Sequence, residues 1–251
     1  MMRSLASGGV STAPVGNGGM NREQQLTALR REAFDILVIG GGATGAGIGL
    51  DAASRGLRVA VVEREDFAAG TSSKSTKLLH GGVRYLEKAV LQLDRGQLKL
   101  VHEALHERTT VLANAPHLSR PIAILTPIYS TWEIPYYTTG LKVYDWLAGH
   151  RSPSPSRFLR PKQTLERCPM LNPQGLRGGV LYYDGQFDDA RMNVTLAVTA
   201  SELGAVMANH VEVTGFGKRE GKIDRVAVRD TLTGETWHIR AAVVINATGP
   251  F

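Results

Sequence analysis

The chain is predicted to be α/β, built around a three-layer, Rossmann-like nucleotide-binding domain. Three observations predict it. The apolar run Ile36-Leu-Val-Ile39 leads straight into Gly40, Gly42 and Gly45, which have the G-x-G-x-x-G spacing. A helical stretch from Thr44 to about Arg55 follows, and then a second apolar run, Arg58 to Glu63. That run ends in an acid 23 residues after Gly40, where a carboxylate can bond a ribose 2′-hydroxyl.

Each glycine has its own task. Gly40 makes the tight turn, Gly42 lets a pyrophosphate approach the backbone, and Gly45 lets the helix pack close to the strand. The helix points its N–H groups and the positive end of its dipole at the phosphates.

Later elements follow from pattern and breakers. Residues 1–31 are predicted to be a disordered tail, because the first 20 are rich in Gly, Ser and Thr and lack any acid. Residues 70–82 form a polar, glycine-bounded loop. A helix is expected over about Gln97 to Asn114, with Leu98, Val101, Leu105 and Leu112 as its stripe and Pro116 after its end. Residues 121–149 are apolar and aromatic, and Ser152-Pro-Ser-Pro-Ser156 reads as a loop. A strand around Leu181-Tyr-Tyr183, a helix from Asp189 to Leu203 and a strand from Ala205 to Val213 follow. Runs 222–230 and 236–240 flank Thr233-Gly234 as a hairpin, and Ala242 to Ile245 reads as a last buried strand.

Composition narrows the function classes. The chain has 251 residues, 43% of them hydrophobic and 21% charged, which is ordinary for a globular protein with ample core. The single cysteine, Cys168, excludes an intramolecular disulfide and has no base beside it. A net charge of +6 suits an anionic substrate or an anionic membrane surface. Nucleic-acid binding is not expected, because the basic residues form no run interleaved with aromatics. No apolar run is long enough to span a bilayer. The aromatics of 129–146 suit either a membrane interface or a core layer.

His102-Glu-Ala-Leu-His106 has the H-E-x-x-H form of a zinc-protease helix. It lacks the downstream extension and a third ligand, so no metal is expected.

Longer motifs carry a family resemblance. Ile39-Gly-Gly-Gly-Ala-Thr-Gly-Ala-Gly47, with Asp51 and Arg55-Gly56, resembles the first signature of the FAD-dependent glycerol-3-phosphate dehydrogenases. Gly70-Thr-Ser-Ser-Lys-Ser-Thr-Lys-Leu-Leu-His-Gly-Gly-Val-Arg-Tyr-Leu86 resembles the second. Asp188-Asp-Ala-Arg191 and Asn246-Ala-Thr-Gly-Pro250 match as well, and Tyr136-Tyr137 with Gly140–Asp145 is similar to the mitochondrial-type branch. Gly49 stands where the family usually has Ala, which should loosen the first helix by about 1 kcal/mol at most.

The resemblance implies an FAD-binding domain, in parts at about 34–115 and 175–251, and part of a β-rich substrate domain at about 116–174. Family members continue well beyond the last strand, so an N-terminal fragment is expected. The implied reaction oxidises sn-glycerol 3-phosphate to dihydroxyacetone phosphate. A hydride passes to the flavin, and electrons pass on to a quinone. Gly40, Gly42, Gly45 and Glu63 would hold the adenosine diphosphate half of FAD. Thr71, Ser72, Ser75, Thr76, Lys77, Leu78 and His80 would follow the pyrophosphate and flavin. Val211 would meet the adenine edge, and Thr248 and Gly249 would make a second dinucleotide contact. Arg84 and, less directly, Tyr85 would bind the substrate phosphate, because a guanidinium fork suits phosphate oxygens. His80 is a candidate base. The implied place is the cytoplasmic face of a bacterial inner membrane, peripherally bound, or alternatively the mitochondrial inner membrane. Two rivals stay open: a related FAD-dependent amine or amino-acid oxidase, and a truncated, non-catalytic flavin-binding module.

Overall fold

The computed structural model describes residues 21–80, 94–149 and 154–250. They form two compact units. One comprises the residues up to Lys74 together with those from Ala190 on, and the other spans Ser75–Asp189.

The chain opens with α1 (Arg22–Arg31), β1 (Ala33–Ile39), α2 (Ala43–Ser54) and β2 (Val59–Val62), followed by a 3₁₀ turn at Thr71–Ser73. The second unit adds β3 (Leu78–Leu79), α3 (Arg95–Asn114), β4 (Ser119–Ile128), α4 (Glu133–Ala148), β5 (Arg157–Leu159), α5 (Pro161–Arg167) and β6 (Gly178–Phe187). Helix α6 (Asp189–Glu202) leads back to β7 (Val206–Ala208), β8 (Val211–Arg219), β9 (Lys222–Asp230) and β10 (Thr236–Asn246).

The first unit is a six-stranded sheet in the order β7-β2-β1-β10-β9-β8. Strands β7, β2, β1 and β10 run parallel, as crossover helices require. Alternate residues feed the two faces. Val38, Val59 and Val61 pack with Ala46, Ala52 and Ala53 of α2 and with Ala197 and Ala200 of α6. Leu37, Ala60 and Val62 pack the other way, with Ala28 and Leu29 of α1 and with Val226 and Val228 of β9. This gives the three predicted layers. Burying each Val or Leu here contributes roughly 1.5–3 kcal/mol.

Several details differ from expectation. Residues 22–31, expected within a disordered tail, form α1. Asn21 and Gln24 make a capping box, and Leu29 is fully buried. The Gly- and Ser-rich composition of the preceding stretch hides this short amphipathic segment. The single strand expected over 205–213 is two strands, β7 and β8, because Asn209 and His210 turn the chain and His210 has φ 53°. The hairpin arm at 236–240 and the last strand at 242–245 are one continuous strand. Its first half pairs antiparallel with β9 and its second half parallel with β1. That second half is not a buried run, since Val243 is 51% exposed. Gly49 does not loosen α2: a Cβ there would sit 2.8 Å from Val61 Cγ2, so the close packing of helix on strand needs the glycine.

In the second unit β6 is central, with β4 along one edge and β3 and β5 along the other. Helix α3 begins at an Asp94 cap and packs Val101 and Leu105 against Tyr144 of α4. Residues 75–115 and 175–189, expected with the nucleotide domain, therefore belong to this unit. The reason is pairing: β3 and β4 both hydrogen-bond to β6.

Candidate cofactor site

The turn after β1 opens a cleft of about 810 Å³ in the first unit. Gly40 has φ 110°, and a Cβ on it would lie 2.5 Å from the Ala247 carbonyl oxygen. A Cβ on Gly45 would lie 1.8 Å from the Gly40 carbonyl oxygen, so no side chain fits there. Gly42 is the N-cap of α2 and lines the cleft, with Ser72 Oγ 3.0 Å from where its Cβ would be. Ser72 Oγ accepts the Ala43 N–H at 2.9 Å, so one of the helix's first donors is already engaged.

Glu63 closes β2 and faces the same cleft. Its carboxylate accepts the Gly41 N–H at 2.7 Å and the Glu65 N–H at 2.9 Å. Two backbone donors orient the carboxylate and leave lone pairs over for a diol. Thr71, Thr248 and Gly249 also line the cleft, and Asn246 Oδ1 accepts from the Thr248 N–H at 3.1 Å and its hydroxyl at 2.9 Å. Val211 lines it too, but its N–H donates to the Glu63 carbonyl at 2.7 Å. Pairing with an adenine edge therefore falls to groups other than that amide.

The remaining candidates lie in the second unit. Asp189, 4% exposed, accepts the Ser75 N–H at 2.9 Å and is ion-paired with Lys77. Ser75 Oγ in turn accepts the Lys77 N–H at 3.0 Å, and Lys77 has φ 59°. The polar loop around Thr76 is thus held by a buried carboxylate. Leu78 is half-buried in β3, and His80 is exposed just after it. Arg84 and Tyr85 lie outside the described residues.

His102 and His106 both lie exposed on α3, and Glu103 pairs with Lys99. Among the described residues no cluster of three or more His, Cys, Asp or Glu is placed to hold a metal ion.

Two features escape sequence reading. Arg108 is buried in the second unit and donates to Asp184 at 2.6 Å, and Tyr144 hydroxyl donates to the same carboxylate at 3.3 Å. Burial pushes the Asp184 carboxyl up, against the pull of Arg108 and Tyr144. In the first unit, Asn193 of α6 donates from Nδ2 to the Gly41 carbonyl at 2.8 Å. The available signal for Asn193 was a polar residue in helical register with Ala197 and Ala200.

A cradle closed to any Cβ at Gly40 and Gly45, a helix N-terminus beside it and an acid ending the second strand fit the adenosine diphosphate half of a dinucleotide. Residues 35–251 match the family model described as FAD dependent oxidoreductase. The chain belongs to that family. FAD is the family's cofactor, and the cleft fits it. The chain is 53% identical over 232 residues to the probable mitochondrial glycerol-3-phosphate dehydrogenase of Caenorhabditis elegans, covering 92% of this chain and 32% of that protein. It is 50% identical over 245 residues to the mitochondrial glycerol-3-phosphate dehydrogenase of Homo sapiens, covering 95% of this chain and 34% of that one. The crystal structure of the glycerol-3-phosphate dehydrogenase from Bacillus halodurans, complexed with FAD, superimposes with a TM-score of 0.68 at 37% identity. It covers 91% of this chain and 37% of that chain. The chain thus spans about a third of the length of the curated relatives it matches.

Proposed function

We propose that the chain carries the FAD-binding part of an enzyme that oxidises sn-glycerol 3-phosphate to dihydroxyacetone phosphate and delivers the electrons to a quinone. What carries the reading is the Gly40–Gly45 cradle with Glu63, in a chain about half identical to enzymes of that name. FAD, when bound, supplies the hydride acceptor for C2 of the substrate.

The chain's own residues do the rest. The Gly40–Gly45 turn and the start of α2 bind the pyrophosphate, and Glu63 binds the adenosine ribose. Thr71 and Ser72 extend this contact, and Thr248 and Gly249 close the cleft's other wall. Ser75, Thr76, Lys77 and Leu78 follow the flavin, with Asp189 keeping the loop in shape. Arg84 grips the substrate phosphate, with Tyr85 beside it. His80 accepts the C2 hydroxyl proton. The mitochondrial relatives favour the mitochondrial inner membrane over a bacterial one. Attachment is peripheral in this reading, which the net charge of +6 and the exposed Trp132 and Trp146 support; no helix among the described residues is long and apolar enough to cross a membrane.

The test is anaerobic flavin reduction. The purified protein should be yellow, and glycerol 3-phosphate should bleach it, whereas glycerol and amino acids should not. Arg84→Ala should keep its FAD and need at least tenfold more substrate, since hydrogen bonds to a charged group are worth about 1.5–3 kcal/mol. Bleaching by an amino acid and not by glycerol 3-phosphate would favour the oxidase reading instead.

A further inference from the structure

Asn193 is fully buried on α6, in line with Ala197 and Ala200, while Val194 and Val198 on the same helix are 45% and 52% exposed. A polar side chain inside and valines outside reverse the usual arrangement of a surface helix. Packing alone does not account for it. Asn193 Nδ2 donates to the Gly41 carbonyl at 2.8 Å, a carbonyl that also accepts the Ala68 N–H at 3.3 Å. Asn193 Oδ1 is buried and accepts no hydrogen bond from the described residues. Turning the amide over would set two oxygens against each other, so the orientation is fixed by its partner. The hydrogen bond this buried side chain makes goes to the nucleotide turn.

The bond fixes a direction. The Gly41–Gly42 peptide is trans, so its carbonyl and its N–H point to opposite sides. With the Gly41 carbonyl drawn toward α6, the Gly42 N–H is turned away from α6. Gly42 lines the cleft and caps α2, where the phosphates of a dinucleotide bind. Three successive glycines give this peptide no side chain of its own to restrain it. Glu63 holds the Gly41 N–H, and the next peptide plane is held by Asn193 at 2.8 Å and, at the longer 3.3 Å, by the Ala68 N–H. We infer that Asn193 is a positioning residue, locking the Gly41–Gly42 peptide so that the Gly42 N–H is presented to the pyrophosphate of FAD. The inference rests on the reading of the cleft as the FAD site.

Two variants of the full chain test it. Asn193→Leu keeps the shape and removes the donor, and Asn193→Ala removes the donor without added bulk. Apoprotein is titrated with FAD by flavin fluorescence, and the melting midpoint of the apoprotein is measured alongside. Both variants should bind FAD at least tenfold more weakly. The Leu apoprotein should melt close to wild type, because the side-chain volume is kept and the Gly41 carbonyl retains the Ala68 N–H; the Ala apoprotein should melt lower, because a void is left. A merely structural role would instead make FAD affinity follow the melting midpoint across the pair. Wild-type FAD affinity in either folded variant, or a loss confined to the one that melts lower, overturns the inference. If wild type itself binds no FAD, the reading of the cleft fails and takes the inference with it.

Discussion

Gly49 shows how little of a residue's role its type reveals. In sequence it is a glycine in mid-helix, and helix propensity predicts a gain of about 1 kcal/mol on replacing it by Ala. In the fold an added Cβ meets Val61 Cγ2 at 2.8 Å and Met207 Sδ at 3.4 Å. Val61 is fully buried and β-branched, so it has little room to give. Overpacking of this kind typically costs about 1–3 kcal/mol, which cancels or exceeds the propensity gain. Gly49→Ala is therefore expected to leave the midpoint of urea unfolding unchanged or lower. A clear rise would mean that α2 can slide on the sheet. Gly40, Gly42, Gly45 and Glu63 were legible because dinucleotide chemistry fixes their spacing. Asn193 was not, because its partner is 152 residues away in the chain and only the fold brings them together.

At the scale of elements, α1 is held by a short polar chain. Arg22 donates to Asp230 at 3.0 Å and to Asn209 Oδ1 at 3.1 Å, and Asn209 Nδ2 donates to Asp66 at 2.9 Å. At its other end Arg30 lies 4.8 Å over the ring of Trp237. Burial works against the Asp230 carboxylate, but the Leu232 N–H and the Arg22 guanidinium outweigh it and hold it below the usual range. Asp66 is lowered too, by Asn209 and by the Phe67 N–H. Acids whose pKa falls on folding contribute stability that is full above the unfolded value, about 4, and lost as pH falls through the folded one. Acidification below about pH 4 should therefore loosen α1. Trp237 fluorescence reports it, since the other two tryptophans, Trp132 and Trp146, are already 66% and 79% exposed. Arg22→Ala should cost about 1.5–3 kcal/mol and move the acid transition to higher pH. An unchanged acid transition in that variant would show that the helix is held by Leu29 and its neighbours alone. Most elements were legible from periodicity, α2, α3 and α6 to within two residues. The β7–β8 break was not, because a turn at Asn209-His210 carries no glycine or proline.

For the molecule as a whole, the aromatic segment 129–146 divides between its two readings. Tyr144 is buried beside Arg108, while Trp132 and Trp146 of the same unit are exposed. A quinone acceptor is lipid-soluble, and a chain of net charge +6 is attracted to an anionic surface. The protein should sediment with anionic liposomes at low salt and be released as salt screens the charge. Trp132→Ala with Trp146→Ala should weaken sedimentation further if those rings enter the interface. Absence of sedimentation at low salt would rule out the peripheral attachment. The division at Lys74 and Ala190 was not readable from composition, because the residues on either side of both points continue one polar loop and one helix.

Strand β10 has a mechanical consequence. Its first residues belong to the hairpin with β9, its last ones pair with β1, and it hands directly to Ala247, whose carbonyl oxygen would lie 2.5 Å from a Cβ on Gly40. Hairpin tip and nucleotide turn are thus the two ends of one rod, coupled through continuous backbone rather than through side chains. A change at the Thr233-Gly234 turn that shifts β10 by one residue would reverse every side chain along it and carry the far end out of register with Gly40. The tip is exposed and distant in sequence from the cradle, yet its turn geometry helps keep the wall of the cleft in place.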